Sequence, residues 1–127
     1  MRKLKKINEL ERLLSNSYAE HDHLCFSSIV VTKDGKTFGG VTVKNQIFRD
    51  TIYCEQAAIA RAVAAGYKYG DIEKIYIMVG SNNINDLKYI NKDVIIEFME
   101  PDAAVWLYDK NRNHRVMKVG NLLFNIY

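Results

Sequence analysis

The sequence predicts an α/β protein whose mixed β-sheet is flanked by helices. Three observations carry that prediction. Apolar spacing alternates between helical and strand periods in the order α-β-β-α-β-α-β-β. Lys33-Asp34-Gly35-Lys36 is a hairpin signal between the first two strand patterns, so those strands run antiparallel. The next strands are separated by helical patterns, the connection that a parallel pair requires.

Lys3 to Ser17 sets Leu4, Ile7, Leu10, Leu13 and Leu14 at helical spacing with charges between them, an amphipathic helix lying on something larger. Leu24 to Thr32 is rich in β-branched residues and reads as the first strand. Thr37 to Val43 returns from the turn, and Gly39-Gly40 within it marks a bulge or a close backbone approach. Tyr53 to Ala65 is alanine-rich and stops at Gly66, a helix with few bulky residues, expected to be central and buried. Ile75 to Val79 is a short apolar strand, and Gly80 to Asp86 is a polar loop. Asn91 to Met99 gathers Val94, Ile95 and Phe98 on one helical face before Pro101 breaks the chain. Ala103 to Tyr108 and Arg115 to Val119 are the last strands, joined by a turn over Asp109 to Asn113, and the tail from Asn121 is apolar.

The 127 residues suffice for a single domain, 1–127, without internal repeat or linker. The basic start (Arg2, Lys3, Lys5, Lys6) is not followed by an apolar stretch, so neither a signal peptide nor a membrane span is expected, and the location expected is cytoplasmic. Two cysteines exclude a disulfide scaffold and zinc sites built on three or four thiolates. Eighteen basic residues against 15 acidic ones, a net charge of +3, permit anionic ligands but fall short of a dedicated nucleic-acid binder. The N-terminal cations read as the solvated face of the first helix.

One stretch is more specific. Gly40-Val41-Thr42-Val43-Lys44-Asn45 is followed by Thr51-Ile52-Tyr53-Cys54-Glu55-Gln56-Ala57-Ala58-Ile59, then Ala62-Val63 and Gly66. This resembles the small cytidine deaminases, including the blasticidin S deaminase branch, which read G-V-N-V-E-N, then T-I-C-A-E-R-x-A-I, then A-V and G. Ser17-Tyr18-Ala19, the Asp34-Gly35 turn, Glu97-Phe98 and Val119-Gly120-Asn121-Leu122-Leu123 extend the resemblance over nearly the whole chain. The resemblance implies a three-layer α-β-α fold with a five-stranded mixed sheet. It also implies assembly as a homotetramer, or at least a dimer, in keeping with the alanine-rich helix and the apolar tail (Leu122, Leu123, Phe124, Ile126, Tyr127).

In such deaminases three thiolates, or one histidine and two thiolates, hold a zinc ion that acidifies a bound water. A glutamate two residues after the first ligand then moves protons between that water and the base. On this pattern Glu55 takes the place of the catalytic glutamate, whereas the ligand positions become Tyr53, Lys88 and Asn91. A protonated lysine and a neutral amide are poor zinc ligands. Shifting by one residue puts Cys54 at the first ligand but moves Glu55 out of register and supplies no second thiolate, because Cys25 lies on the first strand. No metal or other cofactor is therefore expected. The Asn and Glu that hold the ribose in the family become Thr42 and Lys44, and the aromatic near the base becomes Leu24. An ammonium in place of a carboxylate suits a phosphate or carboxylate better than a sugar.

Each candidate has two readings. Glu55 is either a retained catalytic acid or a first-turn carboxylate favoured by the helix dipole. Cys54 is either a nucleophile activated at a helix N-terminus or a small buried residue in the place of alanine. Tyr53, Lys88 and Asn91 either line a polar pocket or fill the emptied metal site, Lys88 then neutralising Glu55. His21 and His23, flanking Asp22, could share a metal but have no third ligand in view, and His114 reads as a surface residue. Trp106 reads as core or interface. Tyr53, Cys54, Glu55, Lys88, Asn91 and Lys44 are expected to line one concave site centred on an ion pair. Three function classes follow: a zinc-less deaminase-like protein binding a small nucleoside-like or anionic ligand, a metal-free enzyme using Glu55 and Cys54, and a nucleoside deaminase with another metal arrangement. The partners expected are such a ligand and further copies of the chain; neither membrane nor nucleic acid is expected.

Overall fold

The computed structural model describes residues 2–122. Five strands form one sheet in the order β2-β1-β3-β4-β5: β1 (Phe26–Thr32), β2 (Thr37–Val41), β3 (Ile72–Val79), β4 (Ala104–Tyr108) and β5 (His114–Lys118). β1 pairs antiparallel with both β2 and β3, β3 pairs parallel with β4, and β4 pairs antiparallel with β5. The sheet is therefore mixed, with α1 (Arg2–Leu14) against one face and α2 (Cys54–Ala64) and α3 (Lys92–Phe98) against the other. The expected element order and the five-stranded layer architecture are both found. No helix among the described residues is long and apolar enough to cross a membrane.

Helices on both faces explain why all seven residues of β1 are buried. Ile29 and Val31 face α1, where they pack with Leu10, Tyr76, Met78 and Tyr108; Phe26 and Val30 face α2 and α3, with Ala58, Ile59, Ile77 and Ile95. Two buried serines tie the layers together. Ser27 donates from Oγ to the Leu10 carbonyl at 2.8 Å, and Ser28 donates to the Cys54 carbonyl at 2.8 Å. Both satisfy hydroxyls that would otherwise be costly in the core.

Gly39 and Gly40 mark a close approach rather than a bulge: the β1–β2 register runs unbroken through both. A Cβ on Gly40 would stand 2.4 Å from the Cys54 carbonyl oxygen and 2.5 Å from the Ala58 nitrogen, so α2 rests directly on the backbone of β2. That contact fixes where α2 begins. Within the single copy, α2 buries Cys54, Glu55, Ala58, Ile59 and Ala62 and leaves Val63 about half exposed at 49%. It is an outer-layer helix with one buried face. Gly66, at a φ of +101°, ends it in the left-handed conformation that glycine adopts without strain.

The loop expected over Gly80 to Asp86 ends at Asn83, where a short 3-10 turn over Ile84–Tyr89, which carries Lys88, begins. Trp106 is half-buried and stacks on Tyr76, and His114 is exposed beside Tyr108. Leu122 is fully buried; the rest of the apolar tail, from Leu123 onward, lies outside the described residues.

Candidate functional site

A cleft of about 660 Å³ opens where the chain leaves β2 and enters α2. The loop before β1 contributes His21, Asp22 and Leu24, and β1 contributes Phe26. Thr42, Lys44, Asn45, Gln46, Phe48, Thr51 and Tyr53 come from the connection to α2, and Tyr89 comes from the 3-10 turn. Four aromatic rings among twelve lining residues make it a largely apolar cleft with a few polar groups, of a size suited to a small molecule.

The connection is shaped by local hydrogen bonds. Val43 bridges to Ile52, exchanging backbone bonds of 2.8 and 2.9 Å, and Lys44 donates to the Tyr18 carbonyl at 2.8 Å. Thr42, buried, accepts the Cys54 N–H on Oγ1 at 3.0 Å. Its hydroxyl therefore satisfies the first turn of α2, work usually done by an N-cap side chain. Here the sequence-selected positions Leu24, Thr42, Lys44 and Tyr53 do meet.

Lys44 is not free for an anion. Its Nζ lies 2.7 Å from Asp22 Oδ2 and 5.5 Å from the centre of the Phe26 ring. Burial pushes the Asp22 carboxyl up, but Lys44 and the Leu24 N–H together outweigh it and leave its pKa below the ordinary value. The pair presents a nearly neutral edge to the cleft. Asp22, read in the sequence only as a residue between two histidines, is the partner that the lysine's own position did not reveal.

Cys54 and Glu55 do not line the cleft. Glu55 is 1% exposed and Cys54 fully buried; Cys54 packs in the core cluster between α2 and the sheet, and Glu55 meets the start of α3. Glu55 Oε1 accepts the Asn91 backbone N–H at 2.9 Å, and Oε2 accepts the Cys54 thiol at 3.2 Å. Burial pushes the Glu55 carboxyl above its usual range, although both hydrogen bonds oppose this. Burial also pushes the Cys54 thiol well up, and the neighbouring carboxyl adds to it. Such a thiol is a protonated donor at neutral pH, not an activated nucleophile. Tyr53 stays a neutral phenol, its pKa raised by burial and then by Glu55.

The expected Lys88–Glu55 pair does not form. Lys88 is exposed, and its ammonium sits 5.2 Å from the centre of the Tyr89 ring. Among the described residues no cation lies within ion-pair distance of Glu55. The 3-10 turn carries Lys88 outward while Leu87 fills the core. Asn91, half-buried at the start of α3, meets Glu55 through its backbone rather than its amide. The single ion-pair-centred site expected from the sequence is thus two places: an open cleft, and a sealed hydrogen-bonded acid behind it.

Zinc does not fit these residues. It requires deprotonated thiols, imidazoles or carboxylates converging on one point. Of the three positions that the resemblance gives to the metal, one is a phenol at the cleft, one an exposed ammonium and one a backbone donor to Glu55. Among the described residues no group of three or more His, Cys, Asp or Glu side chains could hold a metal ion, and His21 and His23 are exposed without a third ligand.

No protein-family model matches the chain, and no curated protein does. Solved structures do. The chain is similar to the crystal structure of cytidine deaminase from Burkholderia pseudomallei with a TM-score of 0.86 and 26% identity, covering 100% of each chain. The cytidine deaminase from Mycobacterium leprae gives a TM-score of 0.65 at 18% identity, over 93% of this chain and 97% of that one. That from Bacillus anthracis gives 0.67 at 9%, over 98% and 89%. This chain has the cytidine deaminase fold, and the likeness supports a relationship to that family.

Proposed function

We propose that this protein is a zinc-less relative of the cytidine deaminases that binds a small, uncharged, ring-bearing molecule, nucleoside-like in shape, in the cleft beside Tyr53. The observation that carries the reading is the separation of cleft from acid. The cleft is walled by aromatics, while Glu55 is sealed away from it, and among the described residues no group of three or more His, Cys, Asp or Glu side chains surrounds it. Hydrolytic deamination needs a hydroxide-like nucleophile, and water with a pKa of about 15.7 is not activated by a buried carboxyl alone. The Lys44–Asp22 pair favours a neutral ligand over the anionic one that Lys44 by itself suggests. The metal-free enzyme is less well supported, since neither Cys54 nor Glu55 reaches the cleft and the thiol is held protonated.

Incubation with cytidine and deoxycytidine is expected to yield no uridine or deoxyuridine above background. An NMR titration with the same nucleosides should shift resonances of Phe26, Thr42, Phe48 and Tyr53 and leave those of Leu10 and Tyr108 in place. Turnover would overturn the zinc-less reading. Saturating nucleoside without any shift at the cleft would overturn the ligand class.

The same reading includes self-association. Tyr18, Val43 and Ile52 form a short bridged ladder with exposures of 49%, 41% and 45%, beside Ile47 at 51% and Phe48 at 77%. So much adjacent apolar surface is costly on a lone copy. Light scattering at micromolar concentration should give a dimer or larger assembly, dissociated by Ile52→Glu; a monodisperse monomer would contradict it.

A further inference from the structure

A second groove, about 440 Å³, lies on the α1 side of the sheet and shares no lining residue with the cleft. Its walls are the first turns of α1 and the β1–β2 turn, and it is lined by four lysines, Lys5, Lys6, Lys33 and Lys74, against one carboxylate, Glu73. An adjoining hollow shares Lys5, Lys6 and Thr37, so the cationic surface is elongated. Lys33 is engaged by Glu100 at 2.8 Å, and Lys74 sits 5.8 Å from the centre of the Tyr76 ring. Among the described residues, Lys5, Lys6 and Lys74 have no carboxylate within ion-pair distance. Glu9, which lines the adjoining hollow, is itself held by Arg12.

Lys5 and Lys6 gain little from the helix that carries them, Lys6 being attracted only through space to Glu9, which Arg12 already holds. The first turn of α1 holds no acid, and the cations there stand at the positive end of the helix dipole, where each is unfavourable. Groups that break a local rule without a local gain point to a role outside the fold. A lysine offers three donors and no acceptor, and meets phosphate as a compact point charge. None of the exposed large apolar side chains lines the groove, so it has nothing to insert into a lipid surface.

We propose that this groove binds a chain of phosphates, held by Lys5, Lys6 and Lys74. That chemistry has two sources, a free oligophosphate and the backbone of a single-stranded nucleic acid. The groove supplies cations for either.

The test is titration calorimetry with sodium tripolyphosphate and anisotropy with a labelled single-stranded RNA, at low and at physiological salt. Wild-type protein should bind at least one of them, more weakly as salt rises. Tripolyphosphate alone identifies a small oligophosphate site, and tighter binding of the RNA identifies a backbone site. Lys5→Glu/Lys6→Glu and, separately, Lys74→Glu should weaken binding about tenfold or more. The α1 variant should keep a circular dichroism spectrum and a melting temperature close to those of the wild type, the gain at the helix N-terminus offsetting the new repulsion from Glu9. Lost binding with the fold retained distinguishes a binding defect from a folding one. Lys118→Glu, outside the groove, should bind as the wild type does. Absence of binding to both probes, or equal loss in the Lys118 control and the α1 variant, would overturn the proposal.

Discussion

Gly40→Ala is expected to destabilise the protein by about 3 kcal/mol or more, a large share of the about 5–15 kcal/mol by which small domains are stable. The added methyl would meet two backbone atoms of α2, at 2.4 and 2.5 Å, and neither can move without shifting the helix. Gly39→Ala is the control. Its methyl would meet Leu13 Cδ1 at 2.8 Å, the end of a flexible side chain, so a cost of about 1 kcal/mol is expected. Urea unfolding of the two variants checks the difference. Equal losses would mean that α2 does not rest on β2 as described.

Glu55→Ala is expected to cost about 3 kcal/mol, from the cavity it leaves and from two buried donors left unpaired, the Asn91 N–H and the Cys54 thiol. Glu55→Gln should behave oppositely. It keeps an oxygen for Asn91 and removes a carboxyl that burial holds above its ordinary pKa. Because the folded state binds that proton more tightly than the unfolded chain, the wild type is favoured below the ordinary value of 4.5. It loses stability as pH rises from there through the raised folded pKa. Gln is neutral throughout, so the variant should be at least as stable at neutral pH and should lack that part of the pH dependence. Thermal melts across acid to neutral pH read both effects. A lower melting temperature for Glu55→Gln at neutral pH would restore a counter-charge for Glu55.

Most of the fold was legible in the sequence because its signals are local. The turn at Lys33-Asp34-Gly35-Lys36, the glycine that ends α2 and the apolar spacing of α1 each depend on a few neighbouring residues. Gly39-Gly40 pointed to a bulge or a close approach, and only the packed structure decides for the approach, which the backbone of α2 makes at Gly40. The site was harder to read. Glu55 and Tyr53 are two residues apart in sequence, yet one is sealed in the core and the other faces the cleft, because α2 begins between them. The resemblance gives Lys88 a metal position, but the 3-10 turn over Ile84–Tyr89 points it to solvent, and nothing in the sequence of that loop says which way the turn faces. The cleft residues that the reading passed over, Phe26, Phe48 and Tyr89, had one available sign. Phe48 is an aromatic within a polar connection, where function gathers more often than packing does.

On the function proposed above, the deaminase fold is kept without a metal, and the Glu55–Cys54–Asn91 hydrogen bonds take the metal's place in holding the site together. Elemental analysis of untagged protein, purified without chelator and dialysed against metal-free buffer, measures this. Zinc well below one ion per chain, with the melting temperature unchanged by a strong chelator, is the predicted result. About one zinc ion per chain surviving dialysis, with a fall in melting temperature on chelation, would contradict it.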